Sequence, residues 1–138
     1  MSRLAFLVVA LSALASTVSA SPIAANATEV LDKRVTHDGK ATWYNVGLGA
    51  CGYTDTDNKP IVAISHLIYG SGGNCNQWIA ITNKANGVTK YGQTRDECMG
   101  CGQSDIDLSP SLFESLGADL GKGVLQVEWH FENKAWSP

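Results

Sequence analysis

Between Arg95 and Phe113 the chain reads RDECMGCGQSDIDLSPSLF. This short run holds Cys98 and Cys101 in a Cys-x-x-Cys spacing and three aspartates, Asp96, Asp105 and Asp107. A Cys-x-x-Cys pair suits a metal, a redox exchange or a structural staple. On extended backbone, Asp105 and Asp107 fall on one face. Two close carboxylates raise one another's pKa, which suits a general acid. The plainer reading makes Asp105 a solvated loop residue and Asp107 an organiser of the turn that leads into Ser109.

The compartment decides between these uses, and the N-terminus speaks to it. Residues 1–20 read MSRLAFLVVALSALASTVSA: a basic Arg3, an apolar run from Leu4 to Leu14 and a small-residue exit at Val18-Ser19-Ala20. That order is expected of a secretory signal peptide cleaved after Ala20. The apolar run falls short of the ~20 residues that span a bilayer. Residues 21–34 end in Lys33-Arg34 and read as a propeptide cut at a dibasic site. The sequon Asn26-Ala27-Thr28 would leave with it. Residues 35–138 then form one domain. Its four cysteines, Cys51, Cys75, Cys98 and Cys101, enter an oxidising space, where two disulfides are expected and three pairings are open. A lone Cys-x-x-Cys is a poor zinc site, and there is no βαβ pattern for a thioredoxin-like exchange. No metal or cofactor is expected.

The net charge is −3. Within residues 35–138 acidic side chains outnumber basic ones, and no basic cluster exists. Nucleic acid and anionic membrane are thereby excluded as expected partners. A neutral, hydroxyl-rich polymer fits this charge.

The elements that must position the aspartates are short. Strands are expected at Lys40–Val46, Pro60–Ser65, Gln77–Thr82, Val88–Thr94 and Gly123–Phe131, with Asn86-Gly87 marking a hairpin. The last strand alternates: Leu125, Val127, Trp129 and Phe131 on one side, Val124, Gln126, Glu128 and His130 on the other. One helix is expected, capped by Ser109, with Pro110 in its first turn and Gly117 as its stop. Leu108, Leu112 and Leu116 would face the sheet. Trp78 and Trp129 are expected in the core, and His66 in a partly buried, hydrogen-bonded place. Short strands, many glycines and one helix describe an all-β, small closed barrel.

Six motifs stand in one order: GKATWY (Gly39–Tyr44), GLGACGYT (Gly47–Thr54), CNQWIAIT (Cys75–Thr82), RDECMGCG (Arg95–Gly102), DIDLSPSLFESL (Asp105–Leu116) and VLQVEWHF (Val124–Phe131). Together they resemble the six-stranded double-psi β-barrel of the rare-lipoprotein-A-like, barwin-like and expansin-like superfamily. The likeness is greatest to the small secreted fungal loosenins. The resemblance implies a polysaccharide groove in which Thr42, Trp43 and Tyr44 stand on the first strand with Asp96 and Asp107. Ile106 replaces the aromatic that relatives place before the second aspartate. The resemblance also implies the disulfides Cys51–Cys75 and Cys98–Cys101. The chain departs from the pattern in YGQTRDEC, which is polar where many relatives are apolar. Nothing in it matches the second, β-sandwich domain of full expansins, so binding is expected to come from the barrel groove or to be weak.

Three chemistries fit such a scaffold. Inverting hydrolysis needs an acid and a base across the sugar, and the first-strand region ATWYNVG holds no acid. A lytic transglycosylase needs one acid, for which Asp107 would serve. Non-hydrolytic loosening needs a groove whose aspartates and tyrosine compete for the polymer's own hydrogen bonds. The last is the favoured expectation: a secreted, monomeric, extracellular protein acting on a cell-wall glycan such as chitin or cellulose, with Asp107 and Asp96 central and Thr42, Trp43, Tyr44 and Asp105 binding. A different class is a cysteine-protease inhibitor or plant-contact effector, which would use the loops Gly52–Lys59 and Tyr69–Asn74.

Overall fold

The computed structural model describes residues 35–138. The expected signal peptide, propeptide and sequon lie outside the described residues. Six strands close into a barrel: β1 (His37–Trp43), β2 (Ile61–Ser65), β3 (Trp78–Asn83), β4 (Thr89–Cys98), β5 (Ile106–Leu108) and β6 (Leu125–Phe131). Their order around the barrel is β1-β5-β2-β4-β3-β6. β5 runs parallel to β1 and antiparallel to β2, and β2 runs parallel to β4. Two short helices, α1 (His66–Tyr69) and α2 (Pro110–Ser115), sit on the connections.

Side-chain alternation fills the interior. Leu125, Val127, Trp129 and Phe131 of β6 are buried, whereas Gln126 and Glu128 are exposed. Trp129 donates from Nε1 to the Ser104 carbonyl at 2.8 Å, which satisfies its one polar atom. Ile79 and Ile81 point inward on β3. Trp78 therefore faces out and is only partly buried, contrary to its expected core place. All five residues of β2 are buried, because both of its faces are covered.

α2 closes one end of the barrel. A Cβ on Gly92 would stand 2.5 Å from Val62 Cγ2 and 2.6 Å from Leu112 Cδ2, so only glycine leaves room for the helix side chain to enter. Pro110 opens α2 and Gly117, at φ 89°, follows its end. Asn83 and Asn86 of the β3–β4 hairpin both donate to the Leu116 carbonyl at 2.9 Å, satisfying a helix end.

Several expectations need correction. β1 begins at His37 and stops at Trp43, three residues short of the expected end. β4 runs on through the polar stretch to Cys98. β5 and α1 are not among the elements expected from the sequence. Ser109 occupies the cap position without capping: its Oγ donates to the Lys59 carbonyl and accepts from Ile61 N–H at 3.1 Å. It ties α2 to the start of β2. His66 is partly buried as expected, but its Nδ1 is buried with no hydrogen-bond partner.

Candidate functional site

Strand register brings the site together. Thr42 on β1 lies opposite Asp107 on β5, Asp107 lies opposite Ala63 on β2, and Ala63 lies opposite Asp96 on β4. The β2–β4 register shifts between Val62 and Ala63, and that irregularity brings Asp96 into the row. Registered neighbours point to the same face. The row is thus Thr42, Asp107, Ala63, Asp96, with a methyl group between two carboxylates.

A groove of about 510 Å³ opens over this row. Tyr44 forms one wall, and the turn from Cys98 to Cys101 forms the other. The turn is closed by the Cys98–Cys101 disulfide. Its base is fixed by Ser65, whose Oγ donates to the Cys101 carbonyl at 3.1 Å and also accepts from Leu67 N–H as the cap of α1.

The two aspartates are held differently. Asp96 Oδ1 accepts from Ala50 N–H and from Glu97 N–H, each at 2.8 Å, and Oδ2 accepts from Tyr44 Oη at 3.1 Å. Asp107 accepts from Thr42 Oγ1 at 3.0 Å and from Leu108 N–H. Burial pushes the Asp107 carboxyl above the usual carboxylate range; the two hydrogen bonds oppose this and the Asp96 charge adds to it. Burial also holds the Tyr44 phenol far above its usual range, helped by Asp96, Asp107 and Asp55. Tyr44 is therefore a neutral donor. Chemically, the groove offers a carboxyl inclined to keep its proton beside one already engaged by three donors.

The loop from Gly47 to Asp55 packs on β4 and supplies one of those donors. A Cβ on Gly49 would stand 2.3 Å from the Arg95 carbonyl, so glycine permits the approach that lets Ala50 N–H reach Asp96. Cys51–Cys75 pins this loop to the segment before β3. Arg95 braces it from outside, with its guanidinium 4.0 Å above the Tyr53 ring and Nε 3.4 Å from Asp55 Oδ2. Asp57 accepts from Val46 N–H and Asn45 Nδ2, both at 2.8 Å, fixing the chain just after Tyr44.

Asp96, Asp107, Thr42 and Tyr44 meet in the groove, but Trp43 and Asp105 do not line it. Trp43 packs against the core and donates from Nε1 to the Leu120 carbonyl at 2.9 Å. Asp105 accepts from Lys40 N–H at 2.8 Å, beside Gly39 and Gly102. Both disulfides pair as the resemblance implied. Sequence reasoning missed Ala63, whose small side chain leaves the space between the two carboxylates open, and the Arg95–Asp55 brace. RDEC held the signal for Arg95; nothing local marks an alanine in PIVAIS.

No family model matches the chain. A papain inhibitor from Streptomyces mobaraensis is 31% identical over 136 residues, spanning 94% of this chain and 93% of the inhibitor. A solved structure of Streptomyces papain inhibitor superposes with a TM-score of 0.62 over 71% of this chain and 94% of that one. An expansin from Clavibacter michiganensis, solved in complex with cellohexaose, superposes with a TM-score of 0.66 at 26% identity. The chain belongs to the expansin-like double-psi β-barrel family. Within this family the match covers 75% of this chain and 54% of the Clavibacter expansin. An allergen Asp f 7 homolog from Arthroderma benhamiae is 31% identical, over 67% of this chain and 38% of the allergen. The putative ripening-related protein 7 of Oryza sativa is 33% identical over 60% of this chain and 59% of its own length. The expansin-like chain thus spans less than two thirds of the allergen, of the rice protein and of the Clavibacter expansin.

Proposed function

We propose that this expansin-like barrel is a secreted, polysaccharide-binding protein that loosens cell-wall material without hydrolysis, through the groove centred on Asp107. The carrying observation is the row Thr42, Asp107, Ala63, Asp96 under Tyr44, which presents hydroxyl, carboxyl and phenol groups to one open groove. These groups match the hydrogen-bonding needs of a glycan chain and compete with polymer–polymer contacts. The family member solved with cellohexaose supports a glycan as the ligand class. Asp96 is committed to three donors. It is poorly placed to activate water, so an inverting pair is not favoured.

A second reading rests on a separate observation: the papain inhibitor relative matches over nearly its whole length. The loops Gly52–Lys59 and Tyr69–Asn74 are flanked by the Cys51–Cys75 disulfide, with Tyr53 exposed within the first loop and Leu48 exposed just before it. They would form the contact with a protease.

The test is incubation of the secreted protein with insoluble chitin and cellulose, measuring bound protein, released sugar and fibre weakening, beside a papain inhibition assay. Binding and weakening without soluble sugar are expected. Asp107→Asn should abolish most weakening while still folding cooperatively, and Asp105→Asn should do far less. Sugar release lost in Asp107→Asn would instead mark Asp107 as the acid of a lytic transglycosylase. Papain inhibition with no glycan effect would establish the loop reading.

A further inference from the structure

A second surface carries an aromatic pair that the groove lacks. Tyr91 on β4 and Trp136 near the C-terminus place their ring centroids 4.8 Å apart at 46°. Tyr91 is 39% exposed, and Trp136 is partly exposed. The segment that carries Trp136 is folded into a turn. Ala135 N–H donates to Asn133 Oδ1 at 2.9 Å, and Trp136 N–H donates to the Asn133 carbonyl at 2.8 Å. Across the sheet Tyr91 is registered with Ala80, and Ala80 with His130. Ala80 presents only a methyl group, so no large strand side chain competes for the space beside Tyr91.

Tyr91 also walls a depression of about 320 Å³, shared with Asn58, Pro60, Lys90, Ser111 and Ser115. This depression has no lining residue in common with the groove. Its rim is polar but almost uncharged. The Ser111 and Ser115 hydroxyls donate to the Lys59 and Leu112 carbonyls and keep their lone pairs for a ligand. Asn58 accepts from Thr56 through Oδ1, which leaves its amide nitrogen to donate.

We propose that this wall is a second glycan-binding site, which holds a neutral polysaccharide chain by stacking a sugar's C–H face on Tyr91 and Trp136. The inference rests on the glycan reading of the groove and names where that polymer is gripped. In the groove, Tyr44 is the single aromatic lining residue, half-buried and tied through its hydroxyl to Asp96, so no pair of rings is offered there. Aromatic rings with a polar edge supply contact area at little entropic cost. One lysine amid amides and hydroxyls suits a neutral sugar better than a charged polymer. Two sites on one barrel let a long chain be held at one and worked on at the other, with affinity raised by effective concentration.

The experiment is a depletion isotherm on insoluble chitin and cellulose for wild type, Tyr91→Ala, Trp136→Ala and Tyr91→Trp, with thermal melts on each. Tyr91→Ala and Trp136→Ala are expected to bind about tenfold more weakly, and Tyr91→Trp to stay within about twofold of wild type. If the alanine variants melt like wild type and bind as tightly, the wall site is overturned and the groove reading stands. If wild type binds neither polymer, both fall. Should an alanine variant lose its cooperative melt, wild type and Trp136→Phe are titrated with cellohexaose and chitohexaose. A saturable fluorescence change in wild type that is missing in Trp136→Phe supports the site, and an unchanged spectrum overturns it.

Discussion

Asp107 and Asp105 are two residues apart, yet they end in different surroundings. Asp105 is spent on the backbone of Lys40, and Asp107 is left half-buried over the groove. Because burial dominates, the Asp107 carboxyl holds its proton more tightly in the folded chain than in the unfolded one. Between the two pKa values the folded state binds more protons, so stability falls as pH rises through that window. The whole penalty is present above the folded value and absent below the unfolded one. Asparagine keeps the acceptor for Thr42 and Leu108 but does not titrate. Asp107→Asn should therefore gain stability relative to wild type between about pH 3.5 and pH 7. Urea melts of both proteins at the two pH values check this, and an advantage that shrinks as pH rises would contradict it. The same substitution should weaken function, as expected where a group is buried for chemistry and not for stability.

At the scale of elements, the approach of the Gly47–Asp55 loop to β4 is the joint on which Asp96 depends. Gly49→Ala would drive a Cβ into the Arg95 carbonyl, which stands 2.3 Å from it. A loss of about 1–3 kcal/mol is expected, together with loss of the Ala50–Asp96 hydrogen bond. Chemical denaturation gives the first, and the amide shift of Ala50 in an NMR spectrum reports the second. The sequence showed the elements whose signal is periodic or capped. β6 alternates over its full length, and α2 begins at Pro110 and ends before Gly117, so both were readable. β5 has three residues, too few for a period, and its strand character comes from being clasped between β1 and β2. β4 was cut short because its polar half faces the groove and the loop, not the core. Ser109 has the identity of a cap, but the start of β2 claims its oxygen. The groove's aspartates came from the family likeness. The spacing of Asp105 and Asp107 alone would have paired the wrong carboxylates, because only the register with β4 brings Asp96 into the row.

For the molecule as a whole, the disulfides differ in reach. Cys51–Cys75 closes a separation of 24 residues and Cys98–Cys101 one of 3. Loop-closure entropy assigns the first roughly 3 kcal/mol and the second about 2 kcal/mol. Cys51→Ala/Cys75→Ala should thus lower the melting temperature more than Cys98→Ala/Cys101→Ala. The second pair should instead act on polymer weakening, since its turn is a groove wall. Melts and weakening assays on both double variants separate the two roles. β5 has a further consequence. It is the strand that joins β1 to β2, and Asp107 sits at its middle. Thr42 and Ala63 become neighbours of one carboxyl only when this strand slots in. Barrel closure and site assembly are then a single kinetic event, and a slow one, since β1 and β5 lie far apart in the chain. During refolding with disulfides intact, recovered activity and recovered near-ultraviolet dichroism should follow one rate constant. A native-looking intermediate that lacks activity is not expected to accumulate.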